Sequence, residues 1–174
     1  MKRDIVDNSF LSHALHLPAI GDEANGRELS KRAVALFNEV GHATDAPRVR
    51  WANALDIAKH GRVREGISEL FKVRAEFLAL GMNTDAALAS LDIVRLKLQL
   101  NDELAALCTE LVRTFSEAGM TTNAIEALAY LREEAKRGSI SAKKVDHVRT
   151  HIKETARMPA LLFAPLIGDD DDRR

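Results

Sequence analysis

Phe77-Leu78-Ala79-Leu80-Gly81-Met82-Asn83-Thr84-Asp85-Ala86 decides the fold of this 174-residue chain, because its pattern occurs three times. The first copy is Phe37-Asn38-Glu39-Val40-Gly41-His42-Ala43-Thr44-Asp45-Ala46, and the third is Phe115-Ser116-Glu117-Ala118-Gly119-Met120-Thr121-Thr122-Asn123-Ala124. Each copy has Phe, then Gly four positions later, then Thr, an Asp or Asn, and Ala. The copies start at positions 37, 77 and 115, so they are 40 and 38 residues apart. Recurrence at a nearly constant spacing indicates a repeated structural unit.

Each copy of the motif has the features of a helix end followed by a helix start. We expect the Phe in the last turn of a helix as a core anchor, and the Gly can take the left-handed conformation that ends a helix. Thr followed by Asp or Asn supplies side-chain oxygens that can accept hydrogen bonds from the first N–H groups of the next helix. The motif therefore predicts an array of helices.

The spacing of apolar residues between the motifs predicts helix pairs. Trp51, Ala54, Leu55 and Ala58, for example, recur at i, i+3, i+4 and i+7, which is one buried helical face. The helix that begins after Asp85 is apolar on several sides, which predicts a central position. The predicted helices lie at about 46–59, 63–80, 85–100, 103–118, 123–137 and 142–157, the last with Ser141 as its cap.

The predicted organisation is a single helical-repeat domain over 1–157. Three or four stacked helix pairs are near the lower limit of size for a continuous core. After the domain, apolar residues bounded by Pro159 and Pro165 leave the helix as an extended segment. Leu162 and Phe163 are expected to fold back onto the last pair, and the alternative is that they insert into another copy or a partner. The predicted parts are a leading pair at 4–40, repeats at 44–80 and 84–118, a last pair at 122–157, and the apolar segment with an acidic disordered tail at 158–174.

The composition favours helices and excludes several classes of protein. The chain has 26 Ala and 22 Leu but only six Phe, one Trp and one Tyr, and Ala and Leu enter helices at the lowest cost. The single Cys108 excludes a disulfide framework, and the formal net charge of -1 gives no overall attraction to nucleic acid or anionic lipid. Because neither a signal-peptide pattern nor an apolar run of ~18 residues is present, we expect a soluble, cytoplasmic protein.

The stretch from Trp51 to Ile67 resembles the tetratricopeptide repeat. That pattern has an aromatic residue, a small residue at the helix crossing, a Gly turn, and a small and an aliphatic residue in the second helix; here these are Trp51, Ala54, Gly61, Gly66 and Ile67. The resemblance covers roughly residues 27–137, with a longer spacing than the 34-residue repeat. The Leu-Gly-Met-x-Thr-Asp-Ala-Ala cadence is similar to the C-terminal repeat regions of bacterial regulatory proteins. The resemblance implies a right-handed array of antiparallel helix hairpins and regulation through protein contacts.

A polar stripe along the first helices is the candidate peptide-binding surface. In tetratricopeptide-like arrays these helices line the concave side, so the resemblance implies a groove of mixed charge for a peptide. The alternative for any one residue is a structural role, such as Asp92 pairing with Arg95 across one helical turn. Trp51 has the further alternative of a core position. The candidate residues are Trp51, Asp56, Lys59, Asp92, Arg95, Gln99 and Tyr130.

Other chemistry-bearing residues have a simpler interpretation. His147 and His151 lie one helical turn apart, as two zinc ligands would, but Glu154 is too far along the axis to complete the site. We interpret these imidazoles, and the weaker pair His13 and His16, as solvated surface groups. The basic cluster that begins at Lys136 is offset by acidic neighbours, which favours a solvated helix over phosphate binding. Neither a cofactor nor a metal is predicted.

The sequence therefore predicts a non-catalytic adaptor whose partner is another protein or a peptide. No nucleic acid or membrane partner is expected, and a homodimer is one alternative because short arrays leave apolar ends. The main rival is the sensor or dimerisation part of a bacterial transcriptional or signalling regulator whose effector domain is not in this chain. Met1 leaves open a complete small protein. A metal-dependent enzyme is the third and least favoured class.

Overall fold

The computed structural model describes residues 44–166, together with Glu28 and Arg32. Residues 44–166 form six α-helices and no strand. The prediction of an all-α chain is therefore confirmed for this part, and each helix begins and ends within two residues of its predicted bounds. The helices are α1 (Asp45–Lys59), α2 (Val63–Ala79), α3 (Asn83–Gln99), α4 (Ala105–Glu117), α5 (Thr122–Lys136) and α6 (Ala142–Thr155).

The chain divides into two compact units, Met1–Glu69 and Leu70–Arg174, and the division falls within α2. Of the predicted leading pair at 4–40, the structure describes Glu28 and Arg32, which are both helical and form an ion pair of 3.3 Å one turn apart. The remainder of that pair lies outside the described residues. The same is true of His13, of His16 and of the tail after position 166.

Five of these six helices end in the same backbone motif. The residue after each C-cap has a positive φ: 86° at Gly61, 69° at Gly81, 53° at Asn101, 74° at Gly119 and 67° at Gly138. In each case the following N–H donates to a carbonyl five residues earlier, which is the Schellman arrangement. The turn at Asn101 therefore matches the glycine turns, because Asn tolerates the left-handed conformation better than most residues.

The motif Phe occupies the same position at two of these ends. Met82 N–H donates to Phe77 O at 2.8 Å, and Met120 N–H donates to Phe115 O at 3.1 Å. Both Phe side chains are fully buried. The predicted role of this residue as a core anchor in the last helical turn is therefore confirmed for the second and third copies.

The predicted capping role of the motif Thr is wrong. Thr44 is the N-cap of α1 but makes no side-chain cap hydrogen bond, and Thr84 lies inside α3. In the third copy the preceding residue, Thr121, caps α5 by accepting from Ala124 N–H at 3.4 Å. The next helix begins one residue after the motif Thr in the first copy, one residue before it in the second, and at the Thr itself in the third. The separate prediction for Ser141 is confirmed, since it accepts from Lys144 N–H at 3.3 Å.

In the first unit, α1 and the start of α2 approach closely at a glycine. A Cβ placed on Gly66 would lie 2.7 Å from Ala58 Cβ and 2.8 Å from Ala54 O. Real Cβ atoms do not approach other atoms so closely, so this crossing requires glycine at position 66. The small residues expected at a helix crossing are therefore brought together here.

In the second unit, the last four helices pack as a ring. Helix α3 packs against α4, α4 against α5, and α5 against α6, as expected for consecutive hairpins. Helix α6 then packs against α3, which closes the ring. Every residue of α3 from 86 to 94 is buried, so its predicted central position is confirmed. The arrangement as an open array of repeats is not confirmed.

None of the described helices is both long enough and apolar enough to cross a membrane.

Candidate peptide-binding surface

The polar residues predicted on α3 are held by α6. Asp92 Oδ1 accepts a hydrogen bond of 2.5 Å from Arg149 Nη1, which also donates to Leu88 O at 3.3 Å. One turn further along, Arg95 forms an ion pair with Asp146. Asp92 is 8% exposed. These contacts join two neighbouring helices, so Asp92 has a packing role in the ring.

The other predicted stripe residues lie in different surroundings. Gln99 is exposed at the end of α3, and Lys59 is exposed at the end of α1. Trp51 is half-buried in α1. Asp56 is also half-buried, and its Oδ1 lies 3.4 Å from His60 Nδ1. Three of the seven candidates, at positions 51, 56 and 59, belong to the first unit, and the other four belong to the second.

Tyr130 contacts the segment that follows α6. We call residues 158–166 the strap. The Phe163 ring of the strap lies 5.4 Å from the Tyr130 ring on α5, and 5.3 Å and 5.0 Å from the His147 and His151 rings on α6, measured between centroids. Tilted and edge-on arrangements at these distances are favourable for aromatic rings. We call the surface formed by these three residues the ring groove.

Hydrogen bonds to backbone carbonyls hold the strap before and after Phe163. Asn123 Nδ2 donates to Pro159 O at 2.9 Å, and His147 Nε2 donates to Ala164 O at 2.7 Å. A carbonyl oxygen only accepts, so the proton lies on Nε2 of His147. His151 Nε2 similarly donates to Asn123 O at 3.2 Å, which orients the Asn123 backbone beside the strap. The strap is thus recognised through one side-chain ring and two main-chain groups.

The fold-back prediction for the apolar segment is confirmed for Phe163 and wrong for Leu162. Leu162 is 78% exposed, because neighbouring residues in an extended segment point in opposite directions. The interpretation of the two imidazoles as solvated is wrong for His151, which is 5% exposed. The one-turn spacing of His147 and His151 is the sequence feature that indicates a shared contact, because it places both rings on the same helical face.

Four cations of the basic cluster that begins at Lys136 are paired with acidic side chains. Lys144 is buried and forms an ion pair with Glu134, and Arg149 pairs with Asp92. Lys136 pairs with Glu133, and Arg137 pairs with Glu134. The prediction of a solvated helix face is therefore wrong for Lys144, which is 6% exposed.

Glu134 and Lys144 form a buried polar cluster at the α5–α6 turn. Lys144 Nζ also donates to Ser139 O at 2.8 Å, and Ser139 Oγ donates to Glu134 Oε2 at 2.8 Å. The pKa of Glu134 is lowered, chiefly by the hydrogen bond from Lys144, against the opposing effect of burial. Hydrogen bonds to a buried carboxylate favour its charged form. The cluster therefore fixes the turn that positions α6, and with it the ring groove.

Two other features have little capacity for chemistry. Cys108 is buried in α4, and burial raises the pKa of its thiol to about 11. A shallow cleft of about 190 Å³ lies where α3 begins and α6 ends, below the volume of about 300–1,000 Å³ typical of ligand pockets. The cleft is lined by Asn83, Thr84, Gly119, Met120, Thr121, Ala124, Thr155 and Ala156. Within the described residues, no group of three or more His, Cys, Asp or Glu is placed to hold a metal ion.

No protein-family model matches the chain, and neither a curated protein nor a solved structure matches it. The tetratricopeptide resemblance thus depends on the residues of the sequence itself.

Proposed function

We propose that this chain is a non-catalytic interaction domain that binds an extended peptide segment of another protein in the ring groove. The observation that supports the proposal is the strap. A proline-bounded polypeptide already lies on α5 and α6, with its aromatic ring among Tyr130, His147 and His151. A surface that accepts this segment has the shape and the hydrogen-bond donors that peptide recognition requires.

The contacts define the chemistry of the peptide. The ring groove favours an aromatic side chain, because three rings surround it and aromatic pairs add to the energy of burial. Asn123 and His147 donate to main-chain carbonyls, which every peptide supplies. Two prolines restrict the backbone of the strap, and a preorganised ligand loses less entropy on binding. The best partner segment is therefore short, apolar and extended, with one central aromatic residue.

The state of the chemistry-bearing side chains supports a role without catalysis. A thiol whose pKa is about 11 is a poor nucleophile at neutral pH. The Nε2 atoms of His147 and His151 donate to main-chain carbonyls, so both imidazoles have positioning roles. These three side chains, which lie among the residues that the structure describes, therefore have structural roles.

A more detailed version of this proposal is that the helices form a tetratricopeptide-like array. The close crossing of Gly66 with Ala54 and Ala58 supports a hairpin of that type in the first unit. Lys59 in the first unit and Gln99 in the second are both exposed, so each is open to a peptide contact within its own unit. The ring groove has direct structural support and is the primary proposed site.

Binding of a synthetic peptide tests the proposal. The probe is a fluorescein-labelled nonapeptide with the strap sequence, Met-Pro-Ala-Leu-Leu-Phe-Ala-Pro-Leu, and the readout is fluorescence anisotropy. A tethered segment competes at an effective concentration in the mM range, so the wild-type chain should bind the probe weakly. The full-length Phe163→Ala variant empties the ring groove and should bind at least about tenfold more tightly.

Two controls make the result specific. Leu162→Ala changes the neighbouring exposed residue and should bind the probe as weakly as wild type. A probe with Ala in place of its Phe should lose binding to Phe163→Ala. Equal affinity of the wild type and Phe163→Ala for the probe would contradict the proposal.

A further inference from the structure

The contacts of the strap do not depend on which copy of the chain supplies it. Its partners Asn123 and Tyr130 lie on α5, and Asn123 is 36 residues away in sequence from Pro159. These contacts are side-chain and main-chain interactions between separate elements. A strap from a second copy would form the same contacts in the same ring groove.

The connection between α6 and the strap has the features of a hinge. Helix α6 ends at Thr155, and Arg157 and Met158 both donate their N–H groups to Glu154 O, at 2.9 Å and 2.8 Å. Residues 156–160 are exposed. Pro159 prevents the helix from continuing and restricts the residue before it to extended conformations. A change in a few backbone angles here would direct the strap away from its own α6.

Two large apolar side chains of the strap are exposed. Leu162 is 78% exposed and Met158 is 55% exposed; with Leu80, they are the large apolar side chains that stand out in the described residues. Binding of the strap to the ring groove of its own chain accounts for the position of Phe163. It leaves the side chains of Leu162 and Met158 exposed to water. Both side chains are therefore available to pack against a second molecule.

We propose that two copies of the chain exchange their straps, so that Phe163 of each lies in the ring groove of the other. In a two-fold dimer the two crossing connections lie side by side, which allows Leu162 and Met158 to pack against their counterparts. The inference rests on the proposed function, because both require that the ring groove accepts an extended segment supplied from outside. Here the partner is a second copy.

Complementation between two full-length variants tests the exchange. Phe163→Ala has an intact ring groove but lacks the aromatic side chain that fills it. Tyr130→Ala keeps Phe163 but has a damaged ring groove. Each variant alone should sediment as a monomer, since neither contains a matched strap and groove. An equimolar mixture should form a heterodimer, in which Phe163 of the Tyr130→Ala chain fills the groove of the other. Sedimentation velocity over a range of concentrations gives the result.

The wild-type chain supplies an independent measurement if a variant fails to fold. Wild type should show a monomer–dimer equilibrium, and mixed 14N and 15N preparations should give a dimer of intermediate mass in native mass spectrometry. Leu162→Ala should weaken this dimer about tenfold or more without changing the melting temperature of the monomer. A wild type that stays monomeric to millimolar concentration overturns the inference, as does a variant mixture that stays monomeric while both variants show native circular dichroism.

The two proposals fail in different ways. If Phe163→Ala binds the free nonapeptide and the variant mixture stays monomeric, the exchange is wrong and the peptide-binding function stands. If the nonapeptide does not bind Phe163→Ala, the ring groove does not accept segments from outside and both proposals are wrong.

Discussion

Asp92 on α3 and Arg149 on α6 are joined by a hydrogen bond of 2.5 Å between Oδ1 and Nη1, at the contact that closes the ring of four helices. Both side chains are mostly buried, with 10% and 22% of their area exposed. A buried carboxylate needs its cation, because removal of one partner leaves a charge in a poorly solvated site. The pair therefore ties α6, which carries two residues of the ring groove, to the central helix.

Replacement of Arg149 by Met should lower the free energy of unfolding by about 3 kcal/mol, the cost typical of a buried ion pair that loses one partner. Urea denaturation followed by circular dichroism measures this change. The matched control is Arg95→Met, which removes the other ion pair between the same helices. Both members of that pair are 46% exposed, so its loss should cost less than about 1 kcal/mol. Equal losses in the two variants would contradict a special role for Asp92 and Arg149.

Lowering the pH should destabilise the chain partly through Glu134. Its pKa is lowered from 4.5 in the folded protein. The stability that Glu134 contributes is therefore fully present above about pH 4.5 and is lost as the pH falls through the lower, folded pKa. Urea titrations between pH 7 and pH 3 should show this loss in the wild type. Glu134→Gln should be less stable at pH 7, and its stability should fall less over the acid range.

Glu133→Gln is the control for this pH dependence. The pKa of Glu133 is also lowered, chiefly by hydrogen bonds from Arg132 and Lys136, but its side chain is 41% exposed. Solvent and salt screen such a pair, so this variant should be nearly as stable as wild type at pH 7. A larger effect for Glu133 than for Glu134 would show that burial is not the deciding factor.

Two glycines should respond to alanine for different reasons. Gly66→Ala introduces a Cβ 2.7 Å from Ala58 Cβ, and such overpacking costs typically about 1–3 kcal/mol. The companion substitution Ala58→Gly should recover part of that loss, since it removes the clashing methyl group. Gly81→Ala meets nothing within 4 Å, and its cost of about 1–2 kcal/mol comes from the φ of 69°. Thermal and urea unfolding of the three single variants, and of the two double variants that combine Ala58→Gly with each glycine substitution, measure these terms. Rescue of Gly81→Ala by Ala58→Gly would argue against the distinction.

Phe163→Ala should release the strap while Leu162→Ala leaves it in place. The ring of Phe163 contacts three side chains, whereas Leu162 is 78% exposed. Limited proteolysis should therefore cut residues 158–166 faster in Phe163→Ala, because a released segment fits a protease active site. Mass spectrometry of the cut products gives the rate for each variant. Equal cutting rates would mean that the ring does not hold the strap.

Cys108 should be inert in the folded protein. Its thiol is buried, and its pKa of about 11 leaves almost no thiolate at pH 8. A thiol reagent such as 5,5′-dithiobis(2-nitrobenzoic acid) should react at pH 8 only as fast as the protein unfolds. Reaction within seconds in native buffer, at the rate seen in urea, would contradict this expectation.

Local sequence determined the helices and their ends. The Phe and Gly of the repeated motif fix where a helix stops, because a Schellman end needs one residue with a positive φ and carbonyls from the same turn. These requirements involve neighbours within six positions, so Gly81 and Gly119 can be recognised from the sequence. The apolar residues on several sides of α3 likewise indicated its central position, and Asn101 took the role of a glycine by the same local rule as the other turns.

The tertiary structure alone decided which surfaces meet. Periodicity shows that a helix face is apolar, but it does not show which other helix covers it, since the hydrophobic effect is non-directional. The packing of α6 on α3 was therefore not predictable from the sequence. The partners of Asp92 and Arg95 were not predictable either, because both partners lie on α6. The rings of His151 and Phe163 meet because the chain reverses direction after Thr155 and the strap returns along α6. The sequence determined the elements by short-range hydrogen bonding and backbone geometry, and long-range packing decided the candidate site.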